Sequence, residues 1–283
     1  MSPTALAVGF ALIAFAANSI LCRMALRQTS IDPATFTSVR LVAGAITLWI
    51  LVGISKRSLS VAGTWISSLA LLAYAAAFSF AYVAVTAGTG ALLLFGAVQL
   101  TMIMAGLAGG ERINPTIAVG WLLAAAGLVI LVLPGVSAAP PTEAALMIGA
   151  GIAWGLYSLR GRRSSDPLRD TAGNFVRAVP GALLISALTW GHTSVDHNGV
   201  TLAVLSGSVA SGIGYAVWYS ALPRLRALQA ANLQLSVPLL ASIGGIVFFG
   251  EPITARLVTA SILLLGGIAL AMRTKLGSAG ARR

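Results

Sequence analysis

The chain has 283 residues, 58% of them apolar and 9% charged, with a mean hydropathy of +0.92; soluble globular proteins carry about 25% charged residues, so the composition indicates a membrane-embedded protein. A formal net charge of +11 would suit a nucleic-acid partner in a soluble fold, but no basic face with water-exposed reading elements accompanies it, and nucleic acid is excluded. The single cysteine, Cys22, excludes an internal disulfide or a cysteine metal cluster.

Apolar stretches of about 20 residues suffice to cross a bilayer as helices. They are expected over 4–26, 33–55, 65–86, 90–109, 115–134, 143–161, 171–190, 200–222, 229–249 and 254–273. The start, Met1-Ser2-Pro3-Thr4, lacks the positive region of a signal peptide, so the first stretch is expected to stay. It carries Asn18. The second carries Arg40, six or seven residues in. The third carries Tyr74, Phe78 and Tyr82, spaced by four, which share one helical face. The fourth carries Phe95 and Gln99.

Pro134-Gly135-Val136-Ser137-Ala138-Ala139-Pro140-Pro141 reads as a stiff linker between two halves. Beyond it, the sixth stretch places Trp154 and Tyr157 as an i, i+3 pair. The eighth carries Ser208, Ser211, Tyr215, Trp218 and Tyr219, and the ninth Gln229, Asn232, Gln234 and a mid-helix proline, Pro238. Mid-helix rings and amides read either as packing and glue between helices or as the wall of a water-filled cavity. Trp49, Trp65, Trp121 and Trp190 fall near helix ends, where interfacial belts place them. Loops such as 162–170 and 191–199 are short, leaving room for a single transmembrane domain, 1–273. The polar tail 274–283 is expected to be irregular and cytoplasmic.

Three segments repeat. Gly110-Glu111 before Asn114-Pro115 corresponds to Gly250-Glu251 before Pro252, Tyr82-Val83-Ala84-Val85 to Tyr219-Ser220-Ala221-Leu222, and Arg40-Leu41-Val42-Ala43-Gly44-Ala45 to Arg177-Ala178-Val179-Pro180-Gly181-Ala182. The halves are therefore 4–134 and 143–273. Five helices per half is odd, so the second half enters from the opposite side and the repeats are inverted, an architecture common in secondary transporters. Placing the N-terminus inside puts Lys56, Arg57, Arg112, Arg160, Arg162, Arg163, Arg169, Arg224, Arg226, Arg273, Lys275, Arg282 and Arg283 on the cytoplasmic side. Arg23, Arg27 and Arg256 lie opposite, so the positive-inside bias puts both termini in the cytoplasm. Arg40 and Arg177 read either as snorkelling to the nearer headgroups or as a gate or anion contact.

Catalysis has little to work with. There is no His-Glu pair at helical spacing, no phosphate-binding loop and no nucleophile elbow. His192, His197 and Asp196 read as a polar loop rather than a metal site, and no cofactor is implied. Asp32, Glu111, Glu143, Asp166, Asp170, Asp196 and Glu251 all fall at helix ends or in loops. Glu111 and Glu251 read as helix-ending residues at glycine turns, with Asn114 and Thr254 capping the next helix in each half. Without a mid-membrane carboxylate to carry a proton, transport is expected to run downhill.

Trp154-Gly155 in the sixth helix, the arginines near the starts of the second and seventh, Tyr219-Ser220-Ala221-Leu222, and the Gly-Glu ending before a last apolar helix resemble the EamA-type ten-helix transporters of the drug/metabolite transporter superfamily. The chain looks most like the YddG-type exporters of aromatic amino acids. It departs where Ala17-Asn18 replaces the usual Trp-Gly and where Val98 stands opposite Pro238. The resemblance implies an all-α membrane protein: ten transmembrane helices as two inverted five-helix repeats, with 1, 3, 4, 6, 8 and 9 around a central cavity and 5 and 10 on the rim. It implies a multi-pass exporter in the bacterial inner membrane that moves bulky or aromatic neutral amino acids; a monomer is one assembly the sequence allows. The expected substrate-binding set is Asn18, Tyr74, Phe78, Tyr82, Phe95, Gln99, Trp154, Tyr157, Tyr215, Trp218 and Asn232. Alternatives are export of other small metabolites or drugs and exchange of sugar phosphates or nucleotide sugars; the last would want intramembrane Lys or Arg to hold phosphate. A membrane enzyme or scaffold is the reading of a different class.

Overall fold

The computed structural model describes residues 3–56, 62–108, 115–135, 138–162, 164–221, 224–225 and 233–280. Among the described residues the regular structure is helical. We number the long helices α1 Pro3–Gln28, α2 Pro33–Lys56, α3 Trp65–Tyr82, α4 Ala87–Ala108, α5 Pro115–Val132, α6 Pro141–Gly161, α7 Pro167–Leu188, α8 His197–Ala221, α9 Ser236–Phe249 and α10 Ala255–Gly280. Seven are long and apolar enough to cross a membrane, and Ser236–Phe249 and Ala255–Ala271 are shorter apolar helices.

The helix starts follow from local chemistry. Proline opens α2, α5, α6 and α7, where the absent N–H has no intrahelical partner to lose. Asp32, Thr64, Asp166, Asp196 and Thr254 accept from backbone N–H groups in the first turns of α2, α3, α7, α8 and α10. Gly250, at φ +63°, ends α9 in the left-handed conformation that favours glycine. Several boundaries differ from the expectation. The α3–α4 turn falls at 83–86, because the Thr86 carbonyl already accepts from Gly90 N. α7 starts at Pro167 and α8 at His197, each just after its aspartate cap. The helix of α10 runs on to Gly280, so the polar stretch from Thr274 is helical and not irregular as far as it is described. The motif at Gly110-Glu111 and Asn114 lies outside the described residues.

α5 packs along α10 and α2 along α7; α3 and α4 flank α6, while α1 lies against α8 and α9. At the α5–α10 seam a Cβ on Gly120 would sit 2.5 Å from the Gly267 carbonyl, and one on Gly267 2.4 Å from that of Gly120. The two backbones touch, and only glycine allows it. Large apolar side chains such as Ile54, Leu122, Leu184 and Val247 face outward, as lipid contact requires.

Inside α8 the middle, Ser206–Ile213, is a π-helical segment between two α-helical ends. It packs tightly on α2: a Cβ on Gly207 would lie 2.1 Å from the Arg40 carbonyl. Sequence reading expects an unbroken helix here, and π segments recur at functional sites. The helical run is interrupted at Leu235, three residues before Pro238 and just before α9.

Candidate functional site

Four-residue spacing on α3 aligns Tyr74, Phe78 and Tyr82. Tyr74 and Phe78 pack at 5.4 Å between ring centroids and Phe78 and Tyr82 at 4.7 Å, edge to face. Trp154 on α6 lies 4.8 Å from Tyr74 and stacks on both Tyr157 and Tyr215 at 5.3 Å. Phe15 on α1 meets Tyr215 and Trp218 of α8 edge-on at 5.7 and 5.8 Å. One aromatic wall thus joins α1, α3, α6 and α8.

The rings of Phe15, Tyr74, Phe78, Trp154, Tyr215 and Trp218 line a cavity of about 410 Å³, within the range of about 300–1,000 Å³ usual for small-molecule sites. Asn18, Tyr74, Phe78, Phe95, Gln99, Trp154, Tyr215 and Trp218, all expected site residues, border it. Tyr157 instead borders a wider space of about 1200 Å³ toward the end that holds Gly63, Arg160 and Asp170. Gln99, Met102 and Tyr219 belong to both, so the small cavity opens into the large one. Tyr82 borders neither; it is fully buried, with its hydroxyl directed at the Ala87 carbonyl 3.4 Å away. Asn232 and Gln229 lie outside the described residues. Ser208 turns away from the cavity and bonds to Val204 of its own helix, whereas Ser211 and Gln234 border it. Sequence reading missed Phe15, whose i, i+3 spacing to Asn18 was the available signal, and Ser206.

Polar groups gather on one side. Ser206 Oγ donates to Asn18 Oδ1 at 2.7 Å, and Asn18 Nδ2 donates to the Tyr74 hydroxyl at 3.2 Å. Arg40 Nη2 donates to the same hydroxyl at 3.0 Å. Arg40 is 1% exposed, and its guanidinium lies 5.3 and 5.1 Å from the centroids of the Tyr74 and Phe78 rings. Snorkelling is therefore overturned for Arg40: its charge points inward among aromatic rings. Arg177 differs from its repeat counterpart, donating to the Ala62 carbonyl and reaching over Trp65 near a helix end.

The end of the cavity beyond Phe78 is closed. Arg23 on α1 donates to the carbonyls of Tyr82 and Val83, capping α3 at 2.9 and 3.1 Å. It also pairs with Glu251 at 3.5 Å. Glu251 in turn accepts from Ala87 N, the first amide of α4, at 2.9 and 3.0 Å. Glu251 is thus more than the end of α9: it ties α9 to α1 and to the α3–α4 turn. On the same side Asp32 accepts from Ser194 N and Asp196 from Ser30 N, cross-linking two turns. At the opposite end Asp170 accepts from Gly63 N, Asn174 from Thr64 N, and Arg160 Nε donates to Ser67 Oγ. No group of metal-binding side chains occurs among the described residues.

The model of the EamA-like transporter family matches residues 142–273. An uncharacterized protein of Pseudomonas aeruginosa is 51% identical over 277 residues, covering 98% of this chain and 96% of that protein. The chain belongs to the EamA-like transporter family. An uncharacterized transporter of Archaeoglobus fulgidus is 26% identical over 68% of the chain and 70% of its own length. The threonine/homoserine exporter RhtA of Escherichia coli is 34% identical over 134 residues, which is 45% of this chain and 42% of RhtA. A solved protein structure superposes with a TM-score of 0.64 at 22% identity over 93% of this chain and 98% of its own, a likeness of fold. Membership in this family makes the chain a multi-pass membrane transporter, with a small molecule as its cargo and the bilayer as its surroundings.

Proposed function

We propose that this EamA-family transporter exports neutral amino acids with bulky, often aromatic, side chains across the bacterial inner membrane by alternating access. The observation that carries the reading is the cavity of about 410 Å³ walled by Phe15, Tyr74, Phe78, Trp154, Tyr215 and Trp218, with hydrogen-bonding groups on one side. Rings receive an apolar side chain; Asn18 and Gln99 offer the amide groups that a polar backbone needs. The cavity is sealed at the Arg23–Glu251 end and opens at the Arg160 end, which corresponds to one access state of a two-gate carrier. The Arg160 end is the cytoplasmic one by the positive-inside bias.

Two inverted five-helix halves are part of the proposal. Exchanging each helix with the one five places later maps α3–α6 packing onto α8–α1, α4–α6 onto α9–α1, and α2–α8 onto α7–α3. A second reading is favoured by the kinship with RhtA: a small hydroxylated amino acid such as threonine or homoserine as cargo.

The deciding experiment is a flux panel in proteoliposomes with Phe, Trp, Met, Thr, homoserine and a cationic dye. Phe and Trp are expected to equilibrate fastest, and Phe78→Ala or Trp154→Ala to slow them more than Thr. Flux of Thr and homoserine alone would establish the second reading; flux of the dye alone would overturn both.

A further inference from the structure

Behind Tyr74, which borders the cavity, lies a buried cation without a counter-ion among the described residues. Arg40 is 1% exposed, its Nε and Nη1 have no hydrogen-bond partner, and no carboxylate approaches it among the described residues. Water does not screen such a charge, so its field extends into the neighbouring cavity. Only one of its nitrogens is used: Nη2 donates to the Tyr74 hydroxyl. Asn18 Nδ2 donates to the same oxygen, and the Asn18 amide is held that way round by Ser206, whose hydroxyl donates to Oδ1.

The direction of these bonds fixes what Tyr74 can do. A phenolic oxygen accepts two hydrogen bonds and has one proton to give. Both acceptor positions are filled, by Arg40 and Asn18, and no acceptor for the Tyr74 proton occurs among the described residues. Tyr74 borders the cavity. Ser211, 1% exposed on the same lining, also has an unpartnered hydroxyl. The site therefore presents donors backed by a positive charge, and among the described residues no acidic side chain lines it. The Glu251 carboxylate is engaged at the sealed end, and that of Asp170 faces the wider space at the other.

We infer that the Tyr74 hydroxyl, held as a proton donor by Arg40 and Asn18, is the subsite for the carboxylate of the cargo, and that the cavity recognises this carboxylate without requiring an ammonium. The inference rests on the reading of the protein as an amino-acid exporter and sharpens its substrate class. Aromatic carboxylates that lack an α-amine are ligands, while amines and amides on the same aromatic body are poor ones. Tyr74 is the carboxylate-binding residue; Arg40 positions its hydroxyl, and Asn18 does so too while keeping an N–H on the cavity side for the rest of the cargo backbone.

The test is equilibrium binding to the purified full-length protein in lipid nanodiscs, using phenylalanine, 3-phenylpropanoate, phenylalaninamide and 2-phenylethylamine. Wild type is expected to bind phenylalanine and 3-phenylpropanoate with similar affinity and the amide and amine at least about tenfold more weakly, the usual scale for loss of a charge-assisted hydrogen bond. Tyr74→Phe keeps the ring and removes the donor; it is expected to lose about tenfold for both carboxylates and to leave the amide and amine unchanged. Arg40→Lys, which keeps the charge, is expected to retain part of the acid-over-amide preference, and Arg40→Gln to abolish it. Where Arg40→Gln does not fold, Tyr74→Phe and Asn18→Leu carry the test. Equal or tighter binding of the amine, or carboxylate affinity untouched in Tyr74→Phe, would overturn the inference. If aromatic ligands fail and threonine binds, the aromatic reading falls; the threonine and threoninamide pair then tests the carboxylate subsite, and equal affinity for the two overturns it.

Discussion

Glu251 shows how one side chain can close a passage. Its carboxylate holds the first amide of α4 and faces Arg23, which itself caps α3, so four helices converge on one pair. The side chain folds back over Gly245, where a Cβ would stand 2.3 Å from Oε2. Hydrogen bonds to a charged group contribute about 1.5–3 kcal/mol each, so neutralising Glu251 is expected to favour the form open at this end by about tenfold. In a Cys22→Ser background, a cysteine at Ser19 should react faster with a thiol reagent applied from the Arg23 side when Glu251→Gln is present. Equal rates would show that the pair does not hold the gate.

At the scale of the element, α2 and α8 begin at turns that brace each other. Asp32 accepts from Ala34, Thr35 and Ser194, and Asp196 from Gly199 and Ser30. Partial burial pushes the Asp32 carboxyl up, but the hydrogen bonds from Thr35, Ser194 and Ala34 outweigh it and hold it below the ordinary carboxylate range. Backbone donation from Gly199, followed by Ser30, does the same for Asp196. A carboxyl depressed in the folded state contributes stability above its unfolded value, near 4, and loses it as the pH falls through the lower, folded value. Asp32→Asn is therefore expected to melt at a lower temperature than wild type at pH 7, by an amount reflecting about 1 kcal/mol for a helix cap. The difference should shrink toward pH 3. Thermal unfolding in detergent at the two pH values measures it, and a difference that persists at pH 3 would assign the loss to packing.

For the molecule as a whole, the sequence revealed the aromatic face because tyrosine and phenylalanine at four-residue spacing have one geometric meaning on a helix. Eight of the expected site residues do meet around one cavity. Tyr82 was grouped with them by the same periodicity, yet its ring lies one turn too far along α3 and fills the seal. Arg40 was legible only in part. Depth along a helix can be counted from sequence, whereas the direction of a side chain depends on which neighbour supplies a partner, here Tyr74 from another helix. The π segment of α8 was equally hidden, since no local sequence signal marks it; it lies where Gly207 closely approaches α2. Orientation in the bilayer is open to direct measurement. A cysteine at His197, in the Cys22→Ser background, is expected to label from the periplasm and one at Ser164 from the cytoplasm; identical labelling at both sites would refute the inverted arrangement.

The glycine contact between α5 and α10 carries a mechanical consequence. Backbones that meet at Gly120 and Gly267 cannot slide past each other without lifting apart; among the described residues these helices border the wider space, through Ile117, Trp121 and Ala271, and not the inner cavity. If the protein rocks as proposed, α5 and α10 are expected to behave as one rigid strut, with the cavity helices displaced relative to it.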